Sequence, residues 1–346
     1  MTGTRPIVNP PAPAHHRAFT HAAALLRPFI ALIVVVLVFF AIQWHKLGYT
    51  TDPDTLVAMV TLMDLRTVAI QTMIVGTAAI GMTLVIASGG LDLSVGSAVA
   101  LCSVVAALAI KDGWPIALAS AAAVLAGAAC GLYNGVLVTA LRIPPFIVTL
   151  GTLGLFRGIA KWTAGSGPVS ADPGWLAELV SPIPKWQWSV VAPGVWLMLA
   201  LALLMALGIR RTVLGRHAIA IGSNETAARY AGVNIARTKI AVYVVAGLFV
   251  GLAGVLQFGR LTQGDPTIRV GLELDVIAAV VIGGASLNGG RGSVLGALVG
   301  ACMMAYMKNR CVRLGWPSFV QEMIVGHIII IAVAIDLWRQ RRSASR

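Results

Sequence analysis

Asp92, Ser94, Asn134, Glu273, Asp275 and Asn288 are polar side chains that lie in or beside long apolar stretches of this chain. Burying such groups is costly unless each finds a partner, so each needs a reason to be there. Asp92 is the sole acid of the turn Ser-Gly-Gly-Leu-Asp-Leu-Ser-Val-Gly-Ser, residues 88 to 97. It has two roles open to it: contact with a passing solute, or capping the next helix through the free N–H of Ser94 or Val95. Glu273 and Asp275 precede the short apolar run 276–282. They suit a helix start, where the dipole favours carboxylates, and equally a coupling site inside a membrane. Asn134 suits a hydrogen bond to a neighbouring helix. His327 reads as a packed histidine.

These six residues are candidates for a translocation path, not for catalysis. No nucleophile–base pair or metal constellation is visible, so the catalytic and metal assignments are none. Zinc, phosphate-loop and dinucleotide signatures are absent, and no cofactor is implied. Cys102, Cys130 and Cys302 lie in apolar runs and Cys311 in a loop, with no disulfide or metal spacing.

A second kind of site is offered by the hydrophilic stretch 215–238, Gly-Arg-His-Ala-Ile-Ala-Ile-Gly-Ser-Asn-Glu-Thr-Ala-Ala-Arg-Tyr-Ala-Gly-Val-Asn-Ile-Ala-Arg-Thr. Ser223 or Asn224 can cap a short helix there. Glu225 meets its positive end, Ala228 and Arg229 continue it, and Gly232 ends it in the left-handed conformation. The expected helix has about two turns, roughly 12 Å. So short a helix is marginal alone. An ordinary structured loop and a docking site for a partner protein both fit these residues.

The elements that position these groups are membrane spans. Of the 346 residues, 58% are hydrophobic and 11% charged, and the mean hydropathy is +0.86. A soluble domain carries about 25% charged residues. The net charge of +13 does not point to nucleic acid, because the basic residues sit between apolar spans. The expected spans are 28–44, 66–87, 93–110, 116–141, 146–162, 190–209, 240–258, 294–307 and 319–337. The run 276–282 is too short to cross alone and brings the count to about ten. The first span has no small-residue cleavage site after it, so it is read as a span and not a signal peptide.

The domain reading is a disordered cytoplasmic tail over 1–26, a transmembrane domain over 27–338, and a basic cytoplasmic tail over 339–346. The domain includes an outer loop at 163–189 and a cytoplasmic loop at 210–239. Trp175, Trp186 and Trp188 in the outer loop suit a membrane interface or an external docking surface. The stretch 45–65, with Asp52, Asp54 and Asp64, suits an external loop. Both termini are placed inside, because the inner segments carry many basic residues and only Asp92, Glu225 and Asp336 as acids.

Residues 81–101 and 280–298 share an order of features: apolar run, Gly-Gly, polar turn, Gly-Ser, apolar run. Paired interruptions of this kind suit an internal repeat flanking a pathway. Gly247, Gly251 and Gly254 are spaced for close helix packing.

Four ordered stretches, 81–97, 143–160, 215–234 and 273–293, carry a resemblance. They resemble the permease subunit of ribose-, xylose- and arabinose-type ABC importers, over roughly Arg66 to Asp336. The resemblance implies an all-α polytopic membrane protein with about ten transmembrane helices, in the type II importer architecture with broken or re-entrant segments. It implies a second permease copy as homodimer partner, a cytoplasmic ABC ATPase subunit, an external or periplasmic solute-binding protein and a lipid bilayer, the bacterial inner membrane. The chain is then not itself an enzyme. It makes 224–232 the ATPase-coupling helix, with Asn224, Glu225, Ala228, Arg229 and Gly232 as its residues. The implied function is ATP-driven import of a small polar solute, a monosaccharide first, by alternating access. An ion-coupled secondary transporter using Asp92, Glu273 and Asp275 is the alternative, and a membrane enzyme ranks below both.

Overall fold

Thr61 and Asp64 cap each other's backbone at the start of the helix around which the chain folds. The Thr61 N–H donates to Asp64 Oδ2 at 3.1 Å, and the Asp64 N–H donates to Thr61 Oγ1 at 3.1 Å. This reciprocal box satisfies two orphan donors of the first turn. The helix it starts, Leu62–Ala87, is 89% buried over its most apolar window.

The computed structural model describes residues 14–46, 61–185, 189–268 and 271–344. In chain order the helices are α1 (Ala14–Lys46), α2 (Leu62–Ala87), α3 (Val95–Lys111), α4 (Ile116–Ala140), α5 (Pro145–Thr163), α6 (Trp175–Leu179) and α7 (Pro193–Arg211). They continue as α8 (Val213–Ser223), α9 (Glu225–Tyr230), α10 (Ile235–Leu261), α11 (Leu272–Ile282), α12 (Val294–Arg313) and α13 (Ser318–Ala344). Two short strands, β1 (Val169–Ser170) and β2 (Gln263–Gly264), pair antiparallel and tie the loop after α5 to the end of α10.

The chain is a mostly helical polytopic membrane protein. Among the described residues, six helices are long and apolar enough to cross a bilayer: α1 from Pro28, α2, α4, α7, α10 and α13 as far as Asp336. The sequence reading counts about ten. The difference lies in α3, with 17 residues, in α11, with 11, and in α5 and α12, which carry Arg157 and Lys161, and Lys308, Arg310 and Arg313. α11 rises only about 16 Å, roughly half a hydrocarbon core.

Around α2 pack α7, α10, α11 and α12, while α13 lies at the periphery, half-burying Ile324, Ile328, Ala332 and Val333 against the core and exposing its other face. α4 and α10 lie backbone to backbone. A Cβ added at Gly131 would sit 2.1 Å from the Tyr243 carbonyl oxygen, so no larger residue fits that crossing. Gly247 and Gly251 line the same crossing and Gly254 meets α3, as their spacing predicts.

The termini depart from the expected boundaries. α1 begins at Ala14, so residues 14–26 are helical and not a disordered tail. Ala22, Ala23, Ala24, Leu25 and Leu26 are strong helix formers and join the apolar helix beyond Pro28. α13 likewise runs on to Ala344 through the expected basic tail. The tail call for residues 1–13 and the readings of Asp52, Asp54, Trp186 and Trp188 lie outside the described residues.

Candidate functional site

The loop between α7 and α10 is built from two helices, where the sequence suggests one. Thr212 caps α8 by accepting from the Gly215 N–H at 3.2 Å. Asn224 ends α8 in an extended conformation and caps α9, its Oδ1 accepting from the Ala227 N–H at 2.9 Å. α9 has six residues, shorter than expected. It closes with Gly232 at φ +84°, where the Val233 N–H donates to the Ala228 carbonyl and the Gly232 N–H to that of Arg229. Both bonds satisfy end carbonyls of the helix.

Two cations hold Glu225. Lys239 Nζ, on α10, lies 2.7 Å from Oε2, and the Arg229 guanidinium lies 3.2 Å from Oε1. The hydrogen bond from Lys239 lowers the Glu225 pKa below its ordinary value, and the charges of Lys239 and Arg229 add to it. Ala228 is buried beneath α9, whereas Tyr230 is 88% exposed at its end. Glu225, Arg229 and Lys239 line one side of a cleft of about 560 Å³; Thr139 at the end of α4 and Arg142 and Pro144 from the turn after it line the other. The result is a short rigid helix, presented outward by a charged clamp and carrying an exposed aromatic ring.

Immediately before this helix, Gly222 lies between the two glycine turns that resemble each other in sequence. A Cβ there would fall 2.0 Å from the Ala87 carbonyl oxygen and 2.5 Å from the Gly290 nitrogen. The Gly290 N–H donates to that same Ala87 carbonyl at 2.9 Å. Gly289, at φ +86°, faces Gly222 and Gly89. The end of α2, the end of α8 and the turn between α11 and α12 thus meet backbone to backbone. Gly222 lies two residues ahead of the cap Asn224, and nothing in the sequence around it marks it as a junction.

The six path candidates do not converge on one site. Asp92, Ser94 and Asn134 do meet: Asp92 Oδ1 accepts from the Ser94 N–H at 2.8 Å and its hydroxyl at 2.6 Å, and Asn134 Nδ2 donates to Ser94 Oγ at 2.9 Å. All three are buried. Asp92 therefore bonds the Ser94 N–H, one of its two open roles, and Asn134 bonds across from α4 to the start of α3. Asn288 sits in the other glycine turn, its carbonyl near Gly89. Glu273 and Asp275 lie apart from these, at the start of α11. Glu273 accepts from the Gly271 N–H at 3.2 Å, and Asp275 is ion-paired with Lys308 of α12. None of the six lines the cleft beside α9. His327 is exposed and not packed as expected, and its Nδ1 lies 2.8 Å from the Met323 carbonyl on its own helix, which can only accept from it.

The far end of α2 is also pinned. Asp64 pairs with Arg313 at 2.7 Å and with buried Arg310 at 3.4 Å, both on α12. α2 and α12 are thus joined by charge at one end, and α2 by backbone to the α11–α12 turn at the other. Among the described residues no group of three metal-ligating side chains occurs, and the described cysteines are free.

Residues 65–333 match the family described as branched-chain amino acid transport system, permease component. The chain is 38% identical over 290 residues to the ribose import permease protein RbsC of Escherichia coli K12, covering 81% of this chain and 87% of that one. It is 36% identical to the L-arabinose ABC transporter permease protein AraH of Azospirillum brasilense, over 90% of this chain and 89% of that one. It is 34% identical to the xylose transport system permease protein XylH of Escherichia coli K12, over 91% and 92% respectively. No solved structure matches the chain.

Proposed function

The chain belongs to this family of importer permease components, and on that premise we propose that it is the membrane subunit of an ATP-driven sugar importer. The solute class follows from the relatives, named for ribose, arabinose and xylose, so a monosaccharide is the first expectation. A separate cytoplasmic ATPase supplies the energy and an external solute-binding protein delivers the sugar. A second copy of this chain completes the pathway across the inner membrane.

The observation that carries the reading is the placement of α9. Asn224, Glu225, Ala228, Arg229 and Gly232 make a capped, clamped helix one residue beyond the Ser223 end of α8, and Gly222 is wedged into both glycine turns. A push on α9 therefore reaches the ends of α2, α11 and α12 through backbone contacts, with no compressible side chain between. Alternating access needs such a rigid link between the energy source and the helices that rock.

In this reading the transmembrane domain spans 27–338, with the 163–189 loop outside, the 210–239 loop and both termini inside. The ten-span arrangement counts α3, α5, α11 and α12 as membrane-embedded segments, α11 re-entering without crossing alone. Asp92, Ser94, Asn134 and Asn288 border the inner end of the pathway, and Glu273 and Asp275 its outer part. The ion-coupled alternative is not favoured: Asp275 is already neutralised by Lys308, and Asp92 is bonded within its own turn.

Reconstitution tests the function directly. Vesicles holding this chain, its ATPase and its binding protein take up a radiolabelled pentose only with ATP. Uptake driven by an ion gradient without ATPase would overturn the proposal.

A further inference from the structure

We propose that a second cleft, lined by Gln71, Gln257, Arg260, Lys308 and Gln321, is a binding site for one small polyhydroxylated solute on its way through the protein. The inference rests on the importer reading and adds a location that reading does not supply.

The cleft, of about 280 Å³, lies among α2, α10, α12 and α13. That is the volume of about nine liquid waters, enough for one monosaccharide. Four helices each send a carboxamide or a cation into it, and Leu261, Ile268 and Val312 complete the lining. Flat polar side chains with an apolar floor suit a sugar, which offers hydroxyls at its rim and C–H groups on its faces.

Three of these groups are unused by the fold. Gln71, Arg260 and Gln321 make no side-chain hydrogen bond or ion pair among the described residues, although each is half-buried. Polar groups withdrawn from water ordinarily find partners. Snorkelling to the membrane surface would account for Arg260, near the end of α10. It does not account for Gln71, about two and a half turns inside α2. A carboxamide there is expensive in a bilayer and acquires a purpose only if something polar visits it. Lys308, held by Asp275, presents its ammonium to the same space. Asp275 thus acts on this cleft by orienting Lys308, and it does not line the cleft itself.

The test places a Val312→Cys reporter on the apolar lining of the cleft, with Cys302→Ser removing a half-buried thiol, in the full complex reconstituted in neutral-lipid vesicles. Labelling by an impermeant thiol reagent is followed with ribose, xylose or arabinose added. The expected result is a saturable loss of labelling rate with at least one sugar, abolished by Arg260→Ala and, as a second variant, by Gln71→Leu. Import is measured on the same vesicles. Labelling indifferent to all three sugars, in vesicles that import one of them, overturns the cleft and leaves the importer reading standing. Protection without ATP-driven import supports the cleft and overturns that reading. A labelling rate set by added anionic lipid, and not by sugar, makes the cleft a headgroup site and overturns the proposal.

Discussion

The Gly290 N–H donates to the Ala87 carbonyl across 2.9 Å, joining the turn before α12 to the last residue of α2. Gly222 lies against both atoms, so the helix pair α8–α9 and the two glycine turns share a single junction. Helices that meet backbone to backbone cannot slide past each other without moving together. In the proposed reading this junction is what lets α9 act on the central helix.

Gly222→Ala is the direct test of that junction. The added methyl would sit 2.0 Å from the Ala87 oxygen, a distance that forces the backbones apart. Overpacking of this kind costs about 1–3 kcal/mol. We expect a folded, membrane-inserted protein with uptake reduced about tenfold or more, because a 1 Å misplacement is enough to break a mechanical link. Uptake equal to wild type would show that the junction transmits nothing.

Gly131→Val probes packing away from that junction. Its side chain meets the Tyr243 carbonyl at 2.1 Å or less, at the α4–α10 crossing. Here the expected outcome is loss of folded protein, read as a fall in thermal stability in detergent and in membrane yield. A stable protein with normal melting would mean that the two helices are not so close.

Removing the clamp on α9 should uncouple and not unfold. With Glu225→Gln and Arg229→Ala combined, the ion pairs of the helix are gone, yet the Asn224 cap and the Gly232 stop remain. Exposed pairs of this sort contribute little to stability. ATP hydrolysis by the complex should continue while solute-stimulated uptake falls. Normal uptake in the double variant would remove these side chains from the coupling step.

The pH response follows from the sign of the Glu225 shift. Its pKa in the folded protein is lowered, chiefly by the Lys239 hydrogen bond. The clamp therefore contributes fully above the ordinary glutamate value, about 4.3, and is lost as pH falls through the lower folded value. Amide exchange over residues 225–230 should be protected equally at pH 8 and pH 5, after correction for intrinsic rates, and lose protection only in stronger acid. Loss of protection between pH 8 and pH 6 would contradict the assignment.

Much of this was legible because it is local. A cap at Ser223 or Asn224, Gly232 as stop and Glu225 in the first turn follow from side-chain chemistry within a few residues, and the structure takes Asn224 as the cap. Asn134 was readable as a helix-to-helix donor because an amide in an apolar run has few other uses. Other features depend on distant residues and were not legible. Gly222 is an ordinary glycine until Ala87 and Gly290 arrive beside it. Gln71, Gln257 and Gln321 are single carboxamides in separate spans, and only the packing of α2, α10 and α13 makes them neighbours. The start of α1 was missed because a Pro- and His-rich beginning outweighed the alanine run at 22–24.

The account depends on a separate ATPase gripping α9 from the cytosolic side. Tyr230, 88% exposed at the end of that helix, is the place to look. A photo-crosslinking amino acid at position 230, activated in intact cells, should yield one adduct with the ATPase subunit and remain shielded from impermeant external reagents. No adduct, or a position 230 open to reagents from outside, would contradict the account.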